Sequence, residues 1–196
     1  MAICDIIPDG GVLLDCCAAP GGKTILLSDK FDKIYAFELH EHRAELIKQY
    51  ALRMNKSNIE VITADSSIYD SRFDCSADIV LCDCPCSGFG VICENPDIKL
   101  NRDSNNIDEL HDNQVAILNN CSGYVKAGGY LAYSTCSVFN EENDLTIEAF
   151  QPEKHGFEIC EMQSPLHGEK TEYGIQFLPH ISLGAGFYIC LMRKKQ

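Results

Sequence analysis

The sequence lacks any hydrophobic run long enough to cross a membrane. Its longest apolar stretches have the length of β-strands and are interrupted by Gly, Asp or Lys, whereas a membrane-spanning helix needs roughly 20 apolar residues. The sequence also lacks a basic segment ahead of its first apolar residues, the pattern that opens a secretory signal. We therefore expect a soluble, cytoplasmic protein with no membrane partner.

Basic residues are scarce as well. The chain has 16 Lys and Arg residues against 29 Asp and Glu residues, which gives a formal net charge of −13 at pH 7. Lys and Arg supply most of the non-specific affinity for phosphates, so this charge argues against a chain that binds nucleic acid strongly by itself. If the substrate is a nucleic acid, other segments must help to hold it.

Cysteine, by contrast, is abundant, with twelve residues in the chain. Many of them lie inside apolar, strand-like patterns, which favours reduced thiols over a disulfide scaffold. Cys82, Cys84 and Cys86 alternate with Asp83 and Pro85. A zinc site would need ligand pairs at CxxC-like spacing with a second pair elsewhere, and none of the six histidines is an obvious partner. We expect no metal here, and a packing role for Cys82 and Cys84.

Strand-like and helix-like segments alternate along the chain. The patterns predict strands at 12–15, 33–39, 59–65, 77–83, 129–135, 157–160 and 186–192, helices from about 23 and over 40–55, 108–125 and 141–150, and a polar loop over 84–106. This alternation is typical of βαβ units, hence of an α/β protein with a mostly parallel sheet and helices on both faces. The last two strands have no helical connection, so we expect them to form an antiparallel hairpin at one edge. No repeat or linker interrupts residues 1–196, which we treat as one domain.

Polar and small residues collect where these strands end. In such sheets, ligands bind beyond the carboxyl ends of the strands, beside the first one. That rule places five parts of the chain on a single rim: residues 15–22, Glu38, Asp65, residues 83–88 and residues 135–137. We expect the chemistry of the protein to be located on this rim.

One part of the rim has the features of a nucleoside-cofactor site. The loop of small residues after the first strand allows backbone amides to approach a ligand at a helix N-terminus, although it matches neither the dinucleotide nor the P-loop pattern. Glu38 ends the second strand about 20 residues later, where a carboxylate can accept both ribose hydroxyls. Asp65, at the end of the third strand, could accept from an adenine amine. Each carboxylate could equally be a helix cap or a loop residue.

Four motifs carry a family resemblance. "DCCAAPGGKT", "DCPCSGFGVICENPDIK", "GGYLAYSTCSVFNEEN" and "GFYICLMRK" resemble the successive motifs of S-adenosylmethionine-dependent RNA (cytosine-5) methyltransferases of the Sun (Fmu) type, which include bacterial 16S ribosomal RNA methyltransferases. The resemblance extends from about residue 11 to residue 193. It implies a Rossmann-like class I methyltransferase fold with a seven-stranded sheet, S-adenosyl-L-methionine as cofactor, and an RNA substrate, with ribosomal RNA favoured.

The resemblance also implies a role for two cysteines. Carbon 5 of cytosine is a poor nucleophile until a thiolate has added to carbon 6. In the family, the cysteine of the "TCS" motif is this nucleophile, here Cys136, and the cysteine of the "PCSG" motif, here Cys86, assists elimination. A thiol with a pKa near 8.5 is only slightly ionised at neutral pH, so we expect a helix beginning near Asn140 and the cationic sulfonium to favour the Cys136 thiolate.

Further roles follow from the same resemblance. Asp83 would contact the cytosine amine and lie near the methionine ammonium, and Lys23 would neutralise and orient this acidic pocket. Arg43 matches a position that borders the cofactor, although it could equally be an exposed helix arginine. The cofactor-binding residues implied in this way are Cys17, Ala18, Ala19, Pro20, Gly21, Gly22, Lys23, Glu38, Arg43, Asp65 and Asp83.

The chain departs from the family pattern at three positions. Cys93 and Glu94 occupy positions where the family carries arginine, and Leu100 occupies an aromatic position. Loss of positive charge there would remove phosphate contacts. The N-terminal RNA-binding parts of the family are also absent, so we expect them elsewhere in a longer parent protein. A tRNA methyltransferase and a non-catalytic RNA-binding module remain alternative functions.

Overall fold

The computed structural model describes residues 6–101, 105–164 and 166–196. Its strands form one nine-stranded sheet in the order β3-β2-β1-β4-β5-β9-β8-β7, with β6 also paired to β9. The strands are β1 (Val12–Asp15), β2 (Lys33–Glu38), β3 (Ile59–Thr63), β4 (Ala77–Asp83), β5 (Val125–Thr135), β6 (Phe157–Ile159), β7 (Glu169–Lys170), β8 (Ile175–Phe177) and β9 (Phe187–Lys194). Strands β1 to β5 are mutually parallel, and β9 runs antiparallel to β5.

Helices cover both faces of the sheet, as predicted. They are α1 (Gly22–Leu27), α2 (Glu41–Arg53), α3 (Ile98–Asn101), α4 (Asn105–Cys121), α5 (Asp144–Phe150) and α6 (Pro179–Ser182). On one face, α1 packs through Leu27 against Ile34, and α2 packs through Ile47 against Ala36. On the other face, Leu118 of α4 and Phe150 of α5 lie in one hydrophobic cluster with the strand side chains that point to that face. The α/β class follows from this layering, because a parallel sheet must bury both faces.

The helix predicted over 108–125 is displaced toward the N-terminus. It ends at Cys121, where Ser122–Tyr124 form a 3₁₀ turn. Val125 already pairs with Ala77 of the neighbouring strand. β5 therefore begins four residues before the predicted 129, because sheet pairing of Val125 prevails over continuation of the helical pattern. The predicted loop over 84–106 contains a 3₁₀ turn and α3, and its residues 102–104 lie outside the described part of the chain.

The prediction of seven strands was wrong in number. The expected antiparallel pairing of the last two strands is confirmed, since β6 pairs with the end of β9 near Lys194. The beginning of β9 pairs instead with β8, which carries β7 on its far side. Strands of two and three residues are too short to show a period of two in the sequence, so the stretch between β6 and β9 gave no signal for them.

The carboxyl ends of the parallel strands meet at one edge of the sheet. β4 and β5 are neighbours there, with Asp83 opposite Ser134. Cys86 and Cys136 follow these two strands, so both lie at this edge of the sheet. Within the described residues, no helix has both the length and the apolar character needed to cross a membrane.

Candidate active site

A cavity of about 470 Å³ opens at this edge of the sheet. It brings together most of the residues that the sequence placed on the rim. Those that line it are Cys17, Ala19, Glu38, Arg43, Asp65, Asp83, Cys86 and Cys136. Ala18, Pro20, Gly21 and Gly22 belong to the loop behind this lining, and Lys23 faces a second cavity.

The loop after β1 is held by its own backbone. The Ala18 N–H donates to Phe37 O at 2.9 Å, and the Gly21 N–H donates to Ala18 O at 2.7 Å. The Ala19–Pro20 peptide bond is cis, and Gly21 has φ 102°, a conformation open to glycine. These two amides are therefore engaged within the protein. The loop presents Cys17 and Ala19 to the cavity.

Glu38 and Arg43 form one end of the cavity. Glu38 is buried and accepts from the His40 N–H at 3.0 Å. Arg43 lies 3.4 Å from the Glu38 carboxylate and also donates to Ala19 O at 3.4 Å. Arg43 is therefore placed at the cavity and not only on an exposed helix face, and it ties the glycine-rich loop to the end of β2.

Asp65 combines a loop role with a place in the cavity. Its Oδ1 accepts from the N–H and the hydroxyl of Ser67 at 2.9 and 2.7 Å. This arrangement is the turn-stabilising role that a loop carboxylate commonly has. A carboxylate has about four lone-pair sites, so acceptor capacity remains for a ligand.

Asp83 is paired with Lys23 at the centre of the rim. The Lys23 Nζ lies 2.5 Å from Asp83 Oδ2, and the Ser134 hydroxyl donates to Asp83 Oδ1 at 2.7 Å. Lys23 also lies 5.4 Å from the centre of the Phe187 ring. Its ammonium therefore separates the acidic cavity from a second, mainly apolar cavity of about 310 Å³.

The two cysteines expected to be catalytic are in contact. Their Sγ atoms are 3.0 Å apart, and both side chains are partly exposed. The hydrogen bond from Cys86 lowers the pKa of the Cys136 thiol, and the positive charge of Lys23 acts in the same direction. The same contact, together with burial, raises the pKa of Cys86. Cys136 is therefore the thiol that ionises more readily.

One of the two predicted sources of this activation, the helix, is not found at the predicted place, and the sulfonium stays a prediction. A helix was expected to begin near Asn140, but Asn140–Glu142 form a 3₁₀ turn and α5 begins at Asp144. The neighbouring thiol of Cys86 is the main cause of the lowered pKa of Cys136. Only the folded protein brings Cys86 to this place, so the sequence alone could not show it.

Asp15 is a carboxyl residue of the rim whose pKa is shifted by burial. It is buried at the end of β1, and desolvation raises its pKa to about 7. The Thr24 hydroxyl donates to its Oδ2 at 2.6 Å, whereas Oδ1 has no hydrogen-bond partner among the described residues. Sequence reasoning did not assign Asp15 a role of its own, because its burial depends on the packing of several strands.

The remaining cysteines of the described residues lie mostly in the core. The eleven cysteines of the described residues are free thiols. Cys82 and Cys84 are buried in the main hydrophobic cluster, as the packing interpretation predicted. The Sγ atoms of Cys82, Cys16 and Cys121 lie within 4.8 Å of one another. Hydrogen bonds with Cys121 and Cys82, together with burial, raise the pKa of Cys16, whereas hydrogen bonds from Cys121, Cys16 and Cys84 lower the pKa of Cys82.

A family model described as 16S rRNA methyltransferase RsmB/F matches residues 7–193. The chain belongs to the RsmB/F family. The predicted resemblance to Sun (Fmu) proteins is therefore confirmed, and the sheet described above is the class I Rossmann-like methyltransferase fold of this family, with nine strands in place of seven.

The relatives are longer than this chain. A probable ribosomal RNA small subunit methyltransferase B of Bacillus subtilis is 37% identical over 192 residues, a match that covers 93% of this chain and 43% of the relative. A ribosomal RNA small subunit methyltransferase B of Escherichia coli is 36% identical and is covered to the same 43%. The chain therefore spans less than half the length of these RsmB/F relatives.

Solved structures agree with this assignment. The crystal structure of PH0851 superposes with a TM-score of 0.92 at 31% identity, covering 97% of this chain and 44% of that one. NSun6 from Pyrococcus horikoshii with SFG superposes with a TM-score of 0.81 at 27% identity, covering 98% of this chain and 50% of that one.

The three positions predicted to depart from the family pattern lie on one exposed segment. Cys93, Glu94 and Leu100 are all exposed, and they lie between the 3₁₀ turn Phe89–Val91 and the end of α3. This segment continues directly from the loop that carries Cys86. A charge change here acts close to the rim.

Proposed function

We propose that this chain is the catalytic part of an enzyme that transfers a methyl group from S-adenosyl-L-methionine to carbon 5 of a cytosine in ribosomal RNA. The observation that carries the proposal is the 3.0 Å contact between Cys86 and Cys136 at the edge of an acidic cavity. Two thiols of unequal acidity at one point match a reaction that needs one thiol to add and another to assist elimination. Membership of the RsmB/F family and the names of the relatives support RNA, and ribosomal RNA over tRNA.

The cavity fits the cofactor in size and in chemistry. Ligand pockets commonly measure 300–1,000 Å³, which includes the value of about 470 Å³ found here. Glu38 would accept from the ribose hydroxyls, and Asp65 would accept from the adenine amine. The loop of residues 17–22 would hold the methionine part, with Asp83 toward its ammonium. When bound, S-adenosylmethionine supplies an electrophilic methyl group.

Cys136 begins the reaction as a thiolate. Its sulfur forms a bond to carbon 6 of the cytosine, which makes carbon 5 nucleophilic enough to take the methyl group. The proton on carbon 5 then leaves, the bond between sulfur and carbon 6 breaks, and the double bond between carbons 5 and 6 is restored. Asp83 orients the cytosine through its exocyclic amine, and Lys23 neutralises Asp83 at 2.5 Å.

Cys86 has a different task at each stage. In the free protein it holds its proton and donates a hydrogen bond to Cys136, which favours the thiolate. Once the Cys136 sulfur is bonded to carbon 6, this sulfur accepts hydrogen bonds only weakly. Cys86 then no longer donates its hydrogen bond to Cys136. Cys86 then loses its own proton to solvent, and its thiolate takes the proton from carbon 5 while the bond between the Cys136 sulfur and carbon 6 breaks. Its loss should therefore block release of the RNA more than formation of the adduct.

The parent protein is expected to act in the cytoplasm and to hold the RNA mainly through segments outside this chain. The net charge of −13 and the greater length of the relatives support the role of the outside segments, and the ribosomal RNA named for the relatives supports the cytoplasm. Cys93 and Glu94 weaken phosphate contacts near the rim, because neither carries a positive charge.

The test is methyl transfer by the full-length protein to small-subunit ribosomal RNA, with isotopically labelled S-adenosylmethionine. We expect Cys136→Ala to abolish transfer and Cys86→Ala to accumulate RNA covalently attached to protein. Cys93→Ala is the matched control, since this cysteine is exposed and away from the contact, and it should retain transfer. Transfer to tRNA alone would overturn the choice of RNA. No transfer to any RNA by a folded, cofactor-binding protein would favour a non-catalytic binding module.

A further inference from the structure

A buried carboxylate joins the two loops that carry the cysteines. Glu142 is 0% exposed. Burying a carboxylate carries a desolvation cost that an exposed position would avoid. Its Oε2 accepts from the hydroxyls of Ser87 and Ser137, each at 2.5 Å. Ser87 directly follows Cys86, and Ser137 directly follows Cys136. One oxygen atom therefore contacts the residue next to each thiol.

The other oxygen of Glu142 holds the Cys86 loop from a second direction. Its Oε1 accepts from the Ser87 N–H at 2.7 Å and from Gln114 Nε2 at 3.2 Å. Gln114 Nε2 also donates to Pro85 O at 2.9 Å. The residues on either side of Cys86 are thus held by one hydrogen-bonded unit. Hydrogen bonds to a carboxylate are strong at low exposure, because they are charge-assisted and unscreened by water.

The Cys136 loop is held in a similar way by the residue after Glu142. Asn143 accepts from the Thr135 hydroxyl at 2.6 Å and donates to Ser137 O at 3.3 Å. These contacts fix the backbone on both sides of Cys136 but do not reach Cys86. A main-chain bond from Gly90 N–H to Cys136 O, at 2.9 Å, also joins the loops. It lies four residues beyond Cys86, so it does not fix the thiol itself.

We propose that Glu142 is a positioning residue that sets the distance and direction between the Cys86 and Cys136 thiols through Ser87 and Ser137. The proposal rests on the two-thiol function above, and it adds a residue that touches neither cofactor nor RNA. A buried charged group is costly unless several hydrogen bonds satisfy it, and four do so here. An apolar side chain would fill the same space without joining the loops.

Glu142 also acts on the thiols through its charge. Its negative charge contributes to the raised pKa of Cys86, after the contact with Cys136 and burial. Glu142 thus helps to keep the proton on Cys86, the donor of the pair, and so maintains the unequal acidity that the reaction requires.

The experiment measures the thiol pair without RNA. Dibromobimane, which links two thiols only when they lie close together, is reacted with the full-length protein, and the Cys86–Cys136 link is quantified by peptide mass spectrometry. Glu142→Ala should lower the initial rate of this link about tenfold or more, the factor typical of losing hydrogen bonds to a charged group. Glu142→Gln retains the size and can still hydrogen-bond both serines, so it should restore part of the rate. Glu141→Gln is the matched control, because this neighbouring side chain is exposed.

Turnover provides the second measurement. Glu142→Ala should lower kcat for methyl transfer while the affinity for S-adenosylmethionine stays within about twofold of wild type, since Glu142 does not line the cofactor cavity. A folded Glu142→Ala protein that forms the link at the wild-type rate overturns the proposal. If Glu142→Ala does not fold, Ser137→Ala decides, because it removes the hydrogen bond to Glu142, together with the contacts of this hydroxyl to the Phe139 N–H and the Ser87 hydroxyl, and should slow the link about threefold or more. A wild-type rate for that variant equally overturns the proposal.

The two proposals fail in different ways. If wild type transfers no methyl group to RNA but the variants alter the link as expected, the proposed function fails and the positioning role of Glu142 stands. If wild type methylates RNA and the Glu142 variants behave like wild type in both measurements, only the positioning role fails.

Discussion

The Sγ atoms of Cys86 and Cys136 lie 3.0 Å apart, although 50 residues separate the two cysteines in the chain. β4 and β5 bring them together, because each cysteine follows the carboxyl end of one of these adjacent parallel strands. The contact divides the acidity of the pair unequally, with Cys136 the stronger acid.

The unequal acidity predicts an alkylation profile. Because the pKa of Cys136 is lowered, its reaction with iodoacetamide, followed by mass spectrometry, should reach half its maximal rate below the pH of about 8.5 typical of an unperturbed thiol. Cys86→Ala removes the hydrogen-bond donor, so it should move the Cys136 profile to higher pH. Cys86→Ser retains a hydroxyl donor and should move it less. An unchanged profile in Cys86→Ala would show that the thiol contact does not activate Cys136.

The proposed roles of Glu38 and Asp65 predict that both carboxylates contribute to the affinity for S-adenosylmethionine. Glu38→Ala and Asp65→Ala should each weaken the binding of S-adenosylmethionine by roughly tenfold or more in calorimetry, since each removes acceptors for charged or strongly polar groups. Glu41→Ala is the control, because Glu41 is exposed on the first turn of α2. Equal affinities in all three variants would place the cofactor elsewhere.

Burial of Asp15 predicts a dependence of stability on pH. Its pKa is about 7 in the folded protein against an ordinary value of 3.8, so the folded state holds a proton that the unfolded state has released between these two pH values. Its contribution to stability is fully present below about pH 4 and is lost as the pH rises through about 7. The free energy of unfolding of Asp15→Asn should therefore rise relative to wild type between pH 5 and 8, measured by urea denaturation. A constant difference over that range would show that Asp15 does not titrate there.

The absence of arginine at Cys93 and Glu94 leads to a prediction about the affinity for RNA. Cys93→Arg combined with Glu94→Arg should tighten the binding of ribosomal RNA by the full-length protein and steepen the dependence on salt, by about 0.7–0.9 in log–log slope for each new phosphate contact. Glu158→Arg is the control, because Glu158 is exposed on β6, which pairs with the end of β9 remote from the rim. Equal gains in the two proteins would point to general charge and not to a local contact.

Much of the central fold was predictable from the sequence. β1 and β4 are apolar runs whose bounds were predicted at the residues observed, because a strand buried on both faces needs apolar residues throughout. β7 and β8 were not predictable, since strands of two and three residues carry no period and form only by pairing with neighbours. The start of β5 was missed for the same reason: the pairing of Val125 is a tertiary contact.

The candidate site also contains residues that the sequence predicted and residues that it did not. Cys86, Cys136 and the acidic strand ends were found because each lies in a motif or ends a predicted strand. Glu142 was missed, although it lies within the "NEEN" segment, because the sequence cannot tell which of two adjacent glutamates turns inward. Its importance arises from burial and from contacts with Ser87 and Ser137, which depend on the folded loops.

The most direct test of the account is the identity of the atom that bonds to RNA. Full-length Cys86→Ala protein is incubated with small-subunit ribosomal RNA and S-adenosylmethionine, the covalent product is digested with nuclease and protease, and the linked peptide is sequenced by mass spectrometry. The account predicts a single adduct between Cys136 and a cytosine that carries the new methyl group. An adduct at another cysteine, or no adduct from a variant that folds and binds the cofactor, would contradict it.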